Sequence, residues 1–229
     1  MIEKEFIEEL SKLNISVTSE QLEQLNIYYE LLVEWNKVMN LTGITEKKDV
    51  YLKHFYDSLT ISKMINLNDY STLCDIGTGA GFPGMVLKII YPNLDVTLVD
   101  SLNKRINFLN NVINRLGLKN VRAVHSRVEE FKGEFDIVTA RAVSQLNILL
   151  EYSIPLVKLN GYFIPLKANI DDEINNSENA FKKLKCKLID KKEFLLPIEN
   201  SNRTLLKIQK FGKNEKYPRK FSEIKKKPL

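Results

Sequence analysis

Apolar residues in the amino-terminal part of the chain are spaced as on the buried face of a helix. Between residues 18 and 39 they recur at steps of three and four residues, which is the period of an amphipathic helix. These positions are Leu22, Leu25, Tyr29, Leu32, Trp35 and Met39. Residues 2–10 and 50–65 show shorter patterns of the same kind. We therefore predict that residues 1–68 form an N-terminal helical cap.

From residue 69 the pattern changes to short apolar runs that alternate with amphipathic segments. The runs predict strands at Thr72–Ile76, Val96–Asp100, Val121–Val124, Phe135–Ala140 and Tyr162–Leu166. The segments between them predict helices at Pro83–Ile90, Leu102–Leu116 and Gln145–Lys158. Such alternation is typical of a parallel sheet that is covered by helices on both faces.

The last two apolar runs, Lys185–Leu195 and Arg203–Lys210, are separated only by a turn segment and should pair antiparallel. A mostly parallel seven-stranded sheet that ends in an antiparallel hairpin is the methyltransferase variant of the Rossmann-like, doubly wound α/β fold. We predict a methyltransferase domain over residues 69–211, forming one structural unit with the cap. Residues 212–229 follow as a basic C-terminal tail.

The composition is that of an ordinary globular protein, with 44% hydrophobic and 28% charged residues in 229. The sequence shows no apolar run of membrane-spanning length and no secretory signal. Cys74 and Cys186 form no CxxC or Cys/His cluster, so we expect neither a metal site nor a disulfide. These features predict a cytoplasmic monomer without a membrane partner.

The net charge of +5 is concentrated at the carboxyl end. Residues 212–229 contain seven basic and two acidic residues, whereas residues 1–211 contain equal numbers of each. Lysine and arginine displace counterions from nucleic acid whatever its sequence, so this tail is a candidate contact to an RNA backbone. The alternative is a solvated, disordered terminus.

A glycine-rich segment, Asp75–Gly84, follows the first predicted strand and reads DIGTGAGFPG. Glycines permit a tight turn and let a ligand lie against the backbone, and this end of a strand is where open α/β sheets bind ligands. Asp100 ends the second strand, where it can accept hydrogen bonds from ribose hydroxyls. Val128 and Glu129 follow the third strand, where we expect contact with an adenine ring, although a Glu-Glu pair can also be a solvated helix start.

Two cofactors compete for this loop. Gly79, Gly81 and Gly84 satisfy the GxGxxG motif of dinucleotide sites, with Asp100 placed 21 residues after Gly79. An acid at Asp75, the GxGxG run directly behind it and the terminal hairpin instead favour S-adenosyl-L-methionine. We therefore predict a class I S-adenosylmethionine-dependent methyltransferase. An NAD(P)-dependent oxidoreductase and a non-catalytic RNA-binding module are the alternatives.

The end of the fourth strand, Thr139–Ala142, faces the transferred methyl group in this fold. The sequence has no Asn-Pro-Pro-Tyr motif to grip an exocyclic amine and no Pro-Cys motif for covalent attack on a pyrimidine. The Arg141 guanidinium can donate two parallel hydrogen bonds, which suits a guanine edge, a cofactor carboxylate or a phosphate. The alternative interpretation of Arg141 is a surface ion pair. Attack by guanine N7 needs no general base. Lys167, at the end of the fifth strand, is a weaker candidate of the same kind.

Polar residues of the predicted cap have two interpretations each. His54 either contacts the substrate or packs as a hydrogen-bonded histidine, and the second interpretation is slightly favoured. Asn40 and Thr42 either present polar groups near the site or end the long helix. His125 is expected to be structural or exposed.

Several motifs in the same order give the chain a family resemblance that covers nearly its whole length. They are residues 35–36, 40–42, His54, 57–58, 75–84, 100–105, 126–129, 139–142 and Lys167. The sequence resembles the bacterial small-subunit (16S) ribosomal RNA guanine-N7 methyltransferases, the family of glucose-inhibited division protein B.

This resemblance implies methylation at N7 of one guanosine in 16S ribosomal RNA, with naked RNA or a small ribosomal subunit particle as the partner. It implies that S-adenosyl-L-methionine lies near Gly77, Phe82, Val128, Glu129 and Arg141. With the glycine loop and the end of the second strand, the predicted cofactor-binding residues also include Asp75, Gly79, Asp100 and Ser101. Among them, Arg141 is the candidate catalytic residue.

Overall fold

The computed structural model describes residues 1–141, 144–168, 170 and 172–229. Its centre is a sheet whose strands, within these residues, number seven. They are β1 (Thr72–Ile76), β2 (Asp95–Asp100), β3 (Val121–His125), β4 (Phe135–Arg141), β5 (Val157–Lys167), β6 (Cys186–Leu195) and β7 (Asn202–Lys210). All predicted strands are therefore present.

The strand order is β3-β2-β1-β4-β5-β7-β6. The first five strands pair in parallel, and β7 runs antiparallel to both β5 and β6. The predicted fold, a mostly parallel sheet ending in an antiparallel hairpin, is confirmed. Because β1 is central, ligand-facing residues at its carboxyl end can be joined by residues from β2 on one side and β4 on the other.

Helices precede the sheet, cover it and follow it. They are α1 (Glu3–Ser11), α2 (Ser19–Met39), α3 (Lys47–Val50), α4 (Asp57–Leu59), α5 (Gly84–Ile90), α6 (Asn103–Arg115), α7 (Leu146–Ser153), α8 (Glu178–Leu184) and α9 (Phe221–Lys226). A π-helical segment, Tyr51–Tyr56, joins α3 to α4. Short 3₁₀ turns occur at Thr60–Lys63, Leu67–Asp69, Ile154–Leu156 and Asn175–Ser177.

The long helix α2 is confirmed, but its buried face differs slightly from the predicted one. Thr18 caps it, accepting a hydrogen bond from the backbone N–H of Gln21 at 3.2 Å. Its fully buried aromatic residue is Tyr28, whereas the predicted Tyr29 is only partly buried. Tyr28 and Tyr29 are adjacent in the sequence, and the orientation of α2 buries the first of them.

The predicted helix over residues 145–158 is shorter than expected, because the chain turns at Pro155 and β5 begins at Val157. Lys158, Asn160 and Gly161, which are typical of the end of a helix, hid this early start of the strand. Two short helices, α8 and α9, with seven and six residues, are not predicted from the sequence pattern. Both are too short to show a clear helical period.

The core continues from the cap into the sheet. One cluster joins Phe6 and Tyr28 of the cap to Leu73 and Leu98 of the sheet. A second cluster lies on the opposite face of the sheet and includes Ile224 of the tail. Cap and tail therefore pack on opposite faces and leave the carboxyl edge of the sheet between them.

No helix in the described ranges is both long and apolar enough to cross a membrane.

Candidate active site

The register of the central strands aligns three predicted site residues. Asp75 of β1 pairs with Leu98 of β2 and with Thr139 of β4. Two residues further along each strand, Gly77, Asp100 and Arg141 therefore reach the same edge of the sheet. This alignment follows from strand pairing alone and creates the floor of a site.

An open cavity of about 490 Å³ lies at this edge. The residues that line it are Leu41, Thr42, His54, Gly77, Thr78, Gly79, Ala80, Phe82, Asp100, Ser101, Arg105, Arg127, Val128, Glu129, Arg141, Tyr152 and Phe221. Every predicted site residue except Asp75 is among them. The strand ends, the glycine loop, the cap and the tail thus all contribute to one cavity.

Asp75 lies under the glycine loop and has no exposed surface. Its Oδ2 accepts hydrogen bonds from the Thr78 hydroxyl at 2.6 Å and from the Gly84 backbone N–H at 2.8 Å. A β-carbon at Gly84 would lie 2.9 Å from the same oxygen, so the loop closes directly over the carboxyl group. Asp75 is therefore placed to shape the loop and does not itself face the cavity.

The loop is also held from the cap by Tyr28, a contact that the sequence did not suggest. The buried Tyr28 hydroxyl donates a hydrogen bond to the Ala80 carbonyl. A β-carbon at Gly81 would lie 2.6 Å from that hydroxyl, which explains why this position requires glycine. Burial raises the pKa of Tyr28 well above its ordinary value, so the hydroxyl keeps its proton.

Asp100 organises the other side of the loop. Its carboxylate accepts hydrogen bonds from the backbone N–H groups of Gly79 and Leu102, both at 2.9 Å. Arg105 pairs with the same carboxylate at 3.1 Å and also lines the cavity. A ribose hydroxyl at this position would therefore share the Asp100 oxygens with Arg105.

The Arg141 guanidinium is held by the cap at the opposite end of the cavity. Its Nη1 donates to the Lys53 carbonyl at 3.0 Å and to Oδ2 of Asp57 at 3.1 Å. Its Nη2 lies 3.2 Å from Nδ1 of His54. The group also lies 5.2 Å from the centre of the Phe82 ring. Arg141 is thus a partly buried, oriented donor rather than a surface ion pair.

Asp57 bridges Arg141 to the terminal hairpin. Its second oxygen accepts a hydrogen bond from Nε of Arg203 at 2.8 Å, and only 5% of its side chain is exposed. Burial lowers the pKa of Arg141, and Asp57 opposes this shift. The carboxylate therefore stabilises the positive charge that Arg141 brings to the cavity.

His54 faces the cavity but is fixed by packing. Its ring stacks on Phe82 with centroids 4.4 Å apart, and its Nε2 lies 2.9 Å from the Thr42 hydroxyl. Nδ1 of His54 lies 3.2 Å from both Nη2 of Arg141 and the Lys53 carbonyl, so it accepts from the arginine in one tautomer and donates to the carbonyl in the other. Burial, followed by the charge of Arg141, lowers the pKa of His54 to about 3. At neutral pH the ring is neutral.

The end of α2 fulfils both interpretations offered for residues 40 and 42. Asn40 adopts the left-handed conformation that ends the helix. Thr42 lines the cavity and positions His54. A short polar segment after a helix gives no sequence signal that separates these two roles.

The remaining candidates lie away from the cavity. The Lys167 ammonium donates to the Ser144 carbonyl at 2.8 Å and pairs with Glu173 at 2.6 Å, so it does not face the site. His125 is exposed and lies 3.0 Å from the Ser101 carbonyl. Ala142, the last residue of the motif at the end of β4, lies outside the described residues.

The described parts of the chain contain no group of three or more His, Cys, Asp or Glu side chains that could hold a metal ion. Both cysteines are buried thiols.

The burial of Asp75 makes a prediction about stability. Desolvation raises its pKa to about 7, against an unfolded value of 3.8, while the bonds from Thr78 and Gly84 oppose the shift. Between about pH 4 and about pH 7 the folded protein therefore holds a proton that the unfolded chain has released, and this contribution to stability is lost as the pH rises. Asp75→Asn keeps an oxygen for both donors and carries no charge.

We expect urea unfolding to show the Asp75→Asn variant gaining stability relative to the wild type between about pH 4 and about pH 7. All other titrating groups are common to both proteins, so the difference isolates this carboxyl group. A difference that stays constant with pH would show that Asp75 is ionised throughout.

Solved structures with low sequence identity share the fold. An S-adenosylmethionine-dependent methyltransferase from Aquifex aeolicus matches with a TM-score of 0.53 at 17% identity, covering 74% of this chain and 96% of that one. The YcgJ protein from Bacillus subtilis matches with a TM-score of 0.55 at 13% identity, covering 69% and 100%. These likenesses show the methyltransferase architecture of the sheet.

Sequence comparison is more specific. The model of the GidB family, described as rRNA small subunit methyltransferase G, matches residues 21–202. Ribosomal RNA small subunit methyltransferase G of Bacillus subtilis is 47% identical, covering 99% of this chain and 98% of that protein. The protein of the same name from Lachnoclostridium phytofermentans is 50% identical, covering 98% and 96%. The chain belongs to the rRNA small subunit methyltransferase G family.

Proposed function

We propose that this protein transfers a methyl group from S-adenosyl-L-methionine to N7 of one guanosine in 16S ribosomal RNA. The observation that carries the proposal is the cavity itself, which joins the glycine loop, Asp100 and Arg141 in a chain of this family. Its volume of about 490 Å³ suits a ligand of nucleoside size. The bound cofactor would supply an electrophilic methyl group on a sulfonium.

The chemistry of the cavity wall fits an acceptor that loses no proton. His54 is neutral and both its ring nitrogens are hydrogen-bonded, so it is poorly placed to act as a general base. The Asp100 carboxylate already accepts hydrogen bonds from Gly79, Leu102 and Arg105, so it is also poorly placed to act as a base. Guanine N7 attacks through a lone pair and needs no base, so alignment and electrostatics can supply the catalysis.

Arg141 is placed to orient a reactant without blocking it. N7 must keep its lone pair for the methyl group, so a donor from Arg141 would go to O6 of the base or to the carboxylate of the cofactor. The sulfonium is a cation, and a second cation beside it would weaken binding. Asp57 offsets part of that charge, because it pairs with Arg141 at 3.1 Å while it also pairs with Arg203 at 2.8 Å.

The tail supports RNA as the partner. Lys213 and Arg219 pair with acidic residues of the domain. The other basic residues of the tail are exposed and, among the described residues, have no acidic partner. They are Lys216, Lys220, Lys225, Lys226 and Lys227. Exposed lysines on a tail that reaches the cavity at Phe221 can contact phosphates independently of sequence.

The test is methyl transfer from labelled S-adenosyl-L-methionine to two substrates, deproteinised 16S RNA and intact small subunits. Both should come from cells that lack this protein, so that the acceptor position is unmodified. We expect label in 7-methylguanosine at a single position. Substrates from cells that contain the protein serve as the control and should take up no label.

The outcomes separate the alternatives. Label in another nucleoside would overturn the N7 assignment, and tight cofactor binding without any labelling would favour a non-catalytic RNA-binding module. Tight binding of a nicotinamide dinucleotide would favour the oxidoreductase, which family membership argues against. We place the reaction in the cytoplasm, where ribosomal subunits are available, and propose that the enzyme acts as a monomer.

A further inference from the structure

The basic C-terminal tail is docked on the domain through a buried ion pair. The Glu151 side chain on α7 has no exposed surface. Arg219 forms a bidentate ion pair with Glu151, in which Nε and Nη2 donate to the two carboxylate oxygens at 2.8 Å and 2.6 Å. The Arg219 backbone N–H donates a third hydrogen bond to the same carboxylate at 3.0 Å. Ile224 and Leu229 are buried beyond it. The tail is thus fixed at a defined place on the domain surface.

This docking brings Phe221 to the cavity. Phe221 begins α9, two residues after Arg219, and lines the cavity together with Arg127 and Val128. The Arg127 guanidinium lies 5.4 Å from the centre of the Phe221 ring. The ring nevertheless remains 45% exposed, which leaves apolar surface facing an open site.

The position of this pair within the cavity indicates what it faces. Arg127, Val128 and Glu129 are consecutive residues after β3, at the side where an adenine ring is expected. Arg127 pairs with Glu129 at 3.7 Å, so the same arginine contacts both the tail and the acidic residue of that side. An aromatic ring and a planar guanidinium are groups on which a base can stack.

We infer that Phe221, backed by Arg127, forms the outer wall of the adenine end of the cofactor site, so that the docked tail is part of that site. The inference rests on the proposed function, because it requires S-adenosyl-L-methionine in the cavity. It assigns a role to the tail besides contact with RNA. Arg219 acts as a positioning residue, since it contacts Glu151 and holds Phe221 in place.

If the docked tail improves cofactor binding, the cofactor must stabilise the docked tail by the same factor. The tail contains six lysines and one arginine, the residue types after which trypsin cleaves. Bound cofactor should therefore slow the removal of residues near 220 from the wild-type protein.

The first experiment measures binding of S-adenosylhomocysteine by calorimetry to the full-length wild type, Phe221→Ala and Phe211→Ala. Phe211 is a matched control, because it is also half exposed, at 53%, and does not line the cavity. We expect Phe221→Ala to raise Kd about five- to tenfold and Phe211→Ala to leave it within about twofold. The second experiment follows tryptic cleavage of the tail by intact mass, with and without ligand.

Three results are distinguishable. No binding by the wild type would contradict the proposed function. Binding by the wild type with the same Kd in Phe221→Ala would overturn the role of the tail and leave the proposed function standing. Weaker binding by Phe221→Ala, together with ligand protection of the tail in the wild type but not in this variant, would support the inference.

Discussion

The Gly79→Ala variant is expected to lose about a hundredfold in kcat/KM for methyl transfer, because Gly79 forms part of the floor of the cavity. Its φ of +62° is unfavourable for alanine. The Gly79 backbone N–H is the group that Asp100 holds at 2.9 Å. A change of backbone angle would therefore break the link between the loop and β2 where the ligand lies. Initial-rate kinetics with labelled cofactor would measure the loss.

The chain offers a matched control for the strain. Gly117, after α6, has the same φ of +62°, and no described atom lies within 4 Å of a β-carbon built at either glycine. Both alanine variants should therefore lose roughly 1–2 kcal/mol of stability from backbone strain. Only Gly79→Ala should lose cofactor binding. An equal loss of activity in Gly117→Ala would show that the effect reflects stability and not the site.

The sequence was sufficient to predict the parts of the site that depend on neighbours in the chain. The apolar runs located each strand, and strand pairing then aligned Gly77, Asp100 and Arg141 at one edge. The period of the hydrophobic pattern can be recognised within each segment of the chain. Parallel pairing then brings the carboxyl ends of neighbouring strands to the same edge of the sheet. This is why the cavity floor could be predicted without knowledge of the packing.

The contacts that orient those residues could not be predicted in the same way. Arg141 and Asp57 are 84 residues apart in the chain, and Arg203 and Asp57 are 146 apart. Tyr28 reaches the loop across 52 residues. Such contacts depend on how the cap and the hairpin meet the sheet, and a single sequence has no periodic signal for them.

Asp75 shows the limit of motif interpretation. An acid between a strand and a glycine loop is expected to matter, but the sequence does not say on which side of the loop its carboxyl group lies. The structure places it beneath the loop, because the backbone N–H of Gly84 approaches its Oδ2 to 2.8 Å. Its contribution to a bound ligand is therefore expected to pass through the shape of the loop.

The largest effect of a side-chain substitution is expected for Arg141→Ala, with a loss of about 10²- to 10³-fold in kcat/KM. Arg141 is the side chain at the end of β4 that both faces the cavity and is oriented by the cap. Removing it also leaves Asp57 with Arg203 as its remaining charged partner among the described residues. Some loss of stability, about 1–3 kcal/mol, should accompany the loss of activity.

Arg203→Ala separates these two effects. It removes the other partner of Asp57, so its loss of stability should be similar, but Arg203 does not line the cavity. We expect its kcat/KM to remain within about threefold of the wild type, because Arg141 keeps its bonds to Lys53 and His54. If both variants lost activity equally, the ion-pair cluster would be structural and Arg141 would have no direct role.

The Arg141→Ala variant can also show which reactant Arg141 contacts. If Arg141 holds the carboxylate of the cofactor, Arg141→Ala should raise the Kd for S-adenosylhomocysteine in proportion to its loss in kcat/KM. If it holds O6 of the guanine, the Kd should stay near the wild-type value while kcat with saturating cofactor falls. Asp57 makes either contact compatible with a nearby sulfonium, because its 3.1 Å pair with Arg141 offsets the guanidinium charge. Unchanged binding together with unchanged kcat would remove Arg141 from the proposed chemistry.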